Sequence, residues 1–285
     1  TQADHCPKLS YRQGLHELTE ASPIYTGDGI AAREGRRISE SDLSEIQDGA
    51  LVVDQLSQNP SKSPGKVLWV GATSALPKRY LKAKRTSLAG KRAVMPGMID
   101  CHTHLVFAGD RSDEFAERCA GATYEQIAAK GGGIVKTVSA TREMSEKQLL
   151  AVSCERVQEA WAWGVRALEI KSGYGLDHEN EIKILSVAQK LKKLYPAMRF
   201  HITYLGAHAW PKESTHEQYM KEMLERTLPE VARKKLADSC DVFIDRGYFS
   251  LQEGRALLSK AQSLGLKLRV HADALAHTAS ADLAS

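Results

Sequence analysis

The chain has 285 residues, 42% of them hydrophobic, and a net charge of +4 from 39 basic and 35 acidic side chains. That length suits one large domain with a smaller companion. The composition is that of an ordinary globular chain and argues against a disulfide scaffold and a polybasic nucleic-acid-binding chain. No apolar run approaches the ~18 residues of a membrane helix, and Thr1-Gln2-Ala3-Asp4-His5 lacks a basic-then-apolar leader pattern. Five scattered cysteines without a C-x-x-C pair are expected to be reduced thiols in the cytoplasm. The basic clusters, such as Lys78-Arg79 and Arg233-Lys234-Lys235, are broken by apolar residues or lie in helical patterns. They are expected to be solvated faces, so neither nucleic acid nor membrane is an expected partner.

Residues 1–92 are rich in turns and short apolar runs, such as Ala50-Leu51-Val52-Val53 and Val67-Leu68-Trp69-Val70. They predict a small β-rich domain, with the main domain over 93–285. From there strand and helix signals alternate. Strands are predicted over Val94–His102, Val165–Ile170, Arg199–Leu205, Asp241–Ile244 and Lys267–His271. Ser145-x-x-Gln148 and Ser250-x-x-Glu253 are capping boxes that open helices, and Gly164 and Gly265 close them. Asp177 is placed to cap a third helix, carrying Ile182, Leu185, Ala188 and Leu191. Such alternation predicts parallel strands joined by right-handed crossovers. Five units are present, where a closed barrel has eight.

Polar residues gather at the C-terminal ends of these strands, where α/β barrels carry their chemistry. Strand one ends in His102-Thr103-His104, preceded by the Pro96-Gly97 turn. In a strand, residues two apart share a face, and two imidazoles there can bind one divalent metal. Strand five supplies His271 as a third ligand. Strand two ends in Glu169-Ile170-Lys171-Ser172-Gly173-Tyr174-Gly175, and strand three in Gly206-Ala207-His208. His208 suits a metal ligand or a hydrogen bond to substrate, and spacing does not choose. Arg111 can grip a carboxylate with two parallel hydrogen bonds, or pair with Asp113 or Glu114 on the surface. Gly131-Gly132-Gly133 lacks the strand and spacing of a dinucleotide fingerprint. It reads as a loop over the site or as a plain connector. His277 reads as a loop residue, and His178, His201 and His216 join no constellation.

These segments resemble the imidazolonepropionase family of the amidohydrolase superfamily. The resemblance rests on Pro96 to Arg111, Lys130-Gly131-Gly132-Gly133-Ile134, Glu169 to Leu176, Gly206-Ala207-His208 and His271-Ala272-Asp273, in family order from about Val94 onward. It implies an α/β fold, an amidohydrolase-type (β/α)8 barrel, incomplete here at about five β/α units, with a small β-rich domain. It implies one zinc or iron ion on His102, His104 and His271. It implies His208 and His271 as catalytic residues, and substrate contacts from Arg111, Tyr174 and His208. The reaction implied is hydrolysis of imidazolone propanoate, a small-molecule substrate, to N-formimidoyl-glutamate, with a homodimer left open.

Two departures stand out. Ala274 replaces the family's Glu or Gln, and the family's last metal ligand, an aspartate, falls beyond Ser285. The 285-residue chain is therefore expected to be partial and, alone, inactive and prone to associate. Two other readings remain: a different mononuclear amidohydrolase acting on a cyclic amide or amidine, and an inactive fragment. The absence of a lysine from the fourth strand favours one metal over two.

Overall fold

The computed structural model describes residues 12–56, 59–62, 65–123, 126 and 132–284. Lys130 and Gly131 of the glycine-rich motif lie outside them. Contacts divide the chain into two compact units. One runs to Met98 and includes Tyr195–Ala197, and the other holds Ile99–Leu194 and Met198–Ser285.

The first unit contains β1 (Arg12–Ala21), β2 (Ile24–Tyr25), the short helix α1 (Asp28–Ala32), β3 (Glu45–Ile46), β4 (Gly49–Leu56), β5 (Val67–Ala72) and β6 (Lys84–Ser87). Four of these strands form a sheet ordered β5-β4-β1-β6, and β2 pairs with β3. In β4, Ala50 and Val52 are fully buried while Leu51 between them is only partly so, the period of two that a sheet with one covered face imposes. Glu17 on β1 is buried, and Arg85, its register partner on parallel β6, answers its charge at 3.2 Å. Gly49 is required because a Cβ there would stand 2.5 Å from the Ile24 side chain.

The second unit begins within β7 (Met98–Thr103). It continues through α2 (Ser112–Cys119), α3 (Ile134–Glu143), α4 (Glu146–Ala162), β8 (Val165–Lys171), α5 (His178–Leu194), β9 (Arg199–Ala207), α6 (His216–Glu222), α7 (Leu228–Arg233), β10 (Ser239–Ile244), α8 (Leu251–Ser263), β11 (Lys267–Leu268) and β12 (His271–Ala272). The sheet is ordered β11-β10-β9-β8-β7, with β12 also on β10. The β8–β9, β9–β10, β10–β11 and β10–β12 pairs are all parallel. The central strands are buried nearly throughout, Ile202, Tyr204, Leu205 and Val242 completely. This is the continuous burial of parallel strands covered on both faces. The outer strands β7 and β11 are largely exposed.

The predicted caps are in place. Ser145 with Gln148, and Ser250 with Glu253, form reciprocal boxes, and Asp177 accepts from the Asn180 amide at 2.7 Å. A third box, Thr215 with Gln218, opens α6. The fifth predicted strand differs from expectation. It is two short pieces interrupted at Arg269-Val270, and both still pair with β10.

Candidate active site at the strand ends

All the predicted site residues lie in the second unit, near the C-terminal ends of β7, β8, β9 and β12. They do not form one cluster. Strand β7 stops at Thr103, whose hydroxyl donates to the Glu169 carbonyl at 2.5 Å. His102 is thus still in the strand, and His104 has left it. The one-face rule for residues two apart lapses where the strand ends. The two rings stand 6.5 Å apart, centroid to centroid, and line different cavities.

His102 faces His271, with their Nε2 atoms 3.1 Å apart. The opposite nitrogen of His271, Nδ1, donates to Asp241 Oδ1 at 3.1 Å. That leaves the Nε2 edge of His271 turned toward His102. Beneath this pair runs a buried chain of charges. Lys171 Nζ donates to Asp241 Oδ2 at 2.7 Å and to Glu169 Oε1 at 3.0 Å. Glu169 also takes the Thr203 hydroxyl at 2.6 Å and lies 3.0 Å from Arg269. Lys171, Glu169 and Asp241 are each under 4% exposed. Burial acts to raise the Asp241 carboxyl, but His271 and Lys171 together hold it below the usual carboxylate range. The cleft over this network has a volume of about 310 Å³.

His104 instead stacks on His208, centroids 4.8 Å apart and planes 13° apart, with the Tyr174 ring at 4.7 Å. Burial drives the His104 imidazolium pKa down to about 2, helped by His208, and that of His208 down to about 4. Both rings are therefore neutral at physiological pH. His208 Nδ1 donates to the Gly173 carbonyl at 2.9 Å, while His104 Nδ1 is buried with no hydrogen-bond partner.

The loop that carries Tyr174 wraps a buried carboxylate. Glu181 accepts from the amides of Gly173, Gly175 and Leu176 at 2.7–3.1 Å. Gly173 has φ +109°, and a Cβ there would lie 2.7 Å from the Leu205 carbonyl, so only glycine fits. Arg111 lines a cavity of about 340 Å³ together with His104 and Tyr174. Its two candidate surface partners are otherwise engaged. Asp113 lies 3.8 Å from Lys136, and Glu114 accepts from the Gly133 amide at 3.0 Å.

Among the described residues no group of three or more His, Cys, Asp and Glu is gathered into a ligand set. The donor chemistry does suit a divalent cation. Two Nε2 atoms face one another, and a neutral, buried His104 keeps an unpartnered nitrogen. Asp273 is not available as a further ligand. It holds its own loop, accepting from the Thr278 amide at 2.6 Å and the Ala281 amide at 3.1 Å. Sequence reasoning placed Glu169 and Lys171 on the rim without a role and passed over Asp241 and Arg156. For the three strand residues the signal was present: charged side chains inside otherwise apolar parallel strands are rarely buried without a partner.

Comparison with known proteins decides the ancestry. The imidazolonepropionase of Bdellovibrio bacteriovorus is 41% identical over 270 residues, covering 94% of this chain and 61% of that protein. Those of Paraburkholderia phymatum and Burkholderia cenocepacia are 43% and 44% identical over 242 residues, covering 84% of this chain and 57% of theirs. The chain is a homologue of the imidazolonepropionases. It spans about three fifths of the length of these relatives. No family model matches. Among solved structures, the 5-methylcytosine deaminase of Klebsiella pneumoniae superposes with a TM-score of 0.54 at 13% identity, over 90% of this chain and 51% of that one. A triazine hydrolase variant gives 0.52 at 11% identity, over 90% and 52%. With these structures the chain shares its fold: a parallel α/β sheet in the second unit and a β-rich sheet in the first. The segments carrying His102, Tyr174, His208 and His271 lie at one end of the parallel sheet.

Proposed function

We propose that this chain carries the ring-binding and metal-binding part of a hydrolase that opens imidazolone propanoate to N-formimidoyl-glutamate. One observation carries the reading: Tyr174, on the loop after β8, joins His104 and Arg111, on the segment after β7, in lining a single cavity. The names and 41–44% identity of the relatives supply the substrate.

His102 and His271, whose Nε2 atoms face one another, would hold one zinc or iron ion, while His104 faces the neighbouring cavity. When bound, such an ion supplies Lewis acidity toward water. The chain's own groups supply the rest. Asp241, itself fixed by Lys171, holds His271 with Nε2 presented to the rim. Such outer carboxylates fix the ring orientation of a ligating histidine. Arg111 matches a carboxylate tail with two parallel donors, and Tyr174 closes the cavity wall against the ring. His208 donates from Nδ1 to the Gly173 carbonyl, which leaves its Nε2 as a neutral proton acceptor beside His104. Together these groups hold the ring carbonyl still while water attacks, which is where alignment lowers a barrier.

Loss of imidazolone absorbance in the presence of zinc or iron tests the reaction. Turnover that appears with metal and disappears with chelator supports it. Turnover unaffected by chelator would remove the metal from the account.

A further inference from the structure

We propose that Arg156 is a second carboxylate-binding residue of the cavity beside His104, and so a determinant of ligand charge. The inference rests on the substrate reading above and extends it. Arg156 projects from the middle of α4 and lines the same cavity as Arg111, Tyr174 and Thr137. Its guanidinium carbon lies over the Phe107 ring, 3.7 Å from the centroid. Nη1 donates to the carbonyls of Leu105 and Phe107 at 2.9 and 2.7 Å. The fork is therefore clamped on one side and stacked on one face. Its Nε and Nη2 donors have no partner among the described residues.

A pre-positioned guanidinium edge is what a planar carboxylate pairs with, because two parallel donors meet two oxygens. The charge of the cavity agrees. Two guanidinium groups line it against one carboxylate, Asp110, which already accepts from the amide and the hydroxyl of Ser112. A cavity whose lining is net positive favours an anionic ligand. Arg111 sits exposed at the start of α2. Arg156 sits on a 17-residue helix with its head already fixed, so it loses less freedom on binding.

The test compares imidazole-propanoate with its uncharged propanamide by titration calorimetry, on the wild type, Arg156→Lys and Arg156→Gln. The wild type is expected to prefer the carboxylate. Arg156→Gln should cut that preference about tenfold or more, the size of a charged hydrogen-bond pair, with amide affinity nearly unchanged. Arg156→Lys should fall between. A residue that only clamps Leu105 and Phe107 would weaken both ligands alike and leave the ratio intact, and that result overturns the assignment. Should Arg156→Gln not fold, Arg156→Lys decides: a reduced ratio supports the proposal and an unchanged one overturns it. If the wild type shows no preference for the carboxylate, or binds neither probe, the carboxylate reading of the cavity fails together with Arg156. If it shows the preference but Arg156→Gln keeps it in full, only Arg156 is removed.

Discussion

The two histidines of one short motif occupy opposite kinds of environment. His102 opens onto ionic groups: Asp241, Lys171, Glu169 and Arg269 lie beneath it or at its side. His104, two residues on, is packed among rings, with His208 and Tyr174 both within 5 Å of its centroid. The strand ends between them, and that single boundary turns one motif toward two cavities. The ionic side fixes His271 through Asp241 and suits a cation. The aromatic side is lined by two guanidinium groups and suits the flat, anionic part of a ligand. The difference teaches that one strand boundary can divide a paired motif between the proposed metal side and the proposed substrate side.

Substitutions separate the two sides. The largest effect is expected for metal retention. His271→Ala or His102→Ala should lower bound zinc from about one equivalent per chain to almost none, read by elemental analysis. Arg111→Lys should leave it unchanged, and a loss of metal there would merge the two sides into one. Next comes Lys171→Met. It strands Asp241 and Glu169 as buried carboxylates without their shared cation, which typically costs about 3–5 kcal/mol. Chemical denaturation should show a drop of that order, and an unchanged midpoint would mean that water already reaches the pair.

Arg111→Lys should weaken imidazole-propanoate about tenfold, since an ammonium cannot make the bidentate pair. In an active enzyme the change should fall mainly on KM. Equal affinity would return Arg111 to the surface. The smallest effect concerns Asp273. Hydrogen bonds from the Thr278 backbone, with help from Ala281, lower its pKa from 3.8 to about 2. A depressed carboxyl stabilises its loop above the unfolded value and loses that contribution as pH falls through the folded one. The Thr278 amide resonance should therefore titrate near pH 2, and Asp273→Asn should abolish the titration. A midpoint near 3.8 would show the loop open.

Much of the second unit was legible because its signals are local. Capping boxes at Ser145 and Ser250 and glycines at 164 and 265 are read within one helical turn of the ends they set. The strands followed from apolar runs, and the rim from what each run ends in. The split between His102 and His104 was not legible. It depends on β7 stopping at Thr103, where a side chain bonds across to β8 instead of continuing the strand. The Lys171–Asp241 pair was hidden for a different reason, since its members lie 70 residues apart and meet only once β8, β9 and β10 are stacked in parallel. Arg156 carried no signal in the sequence that set it apart from the other charges of its helix. Its position under Phe107 belongs to the packing of α4 against the loop after β7.

The central claim is that the metal side and the substrate side act together on one cyclic amide. The most direct measurement uses the protein as its cell makes it, loaded with zinc or iron and supplied with imidazolone propanoate. Loss of imidazolone absorbance is followed alongside the appearance of N-formimidoyl-glutamate. The account predicts that the two change one for one, and that both cease when the metal is chelated. Metal-loaded protein that binds imidazole-propanoate yet forms no N-formimidoyl-glutamate would contradict it.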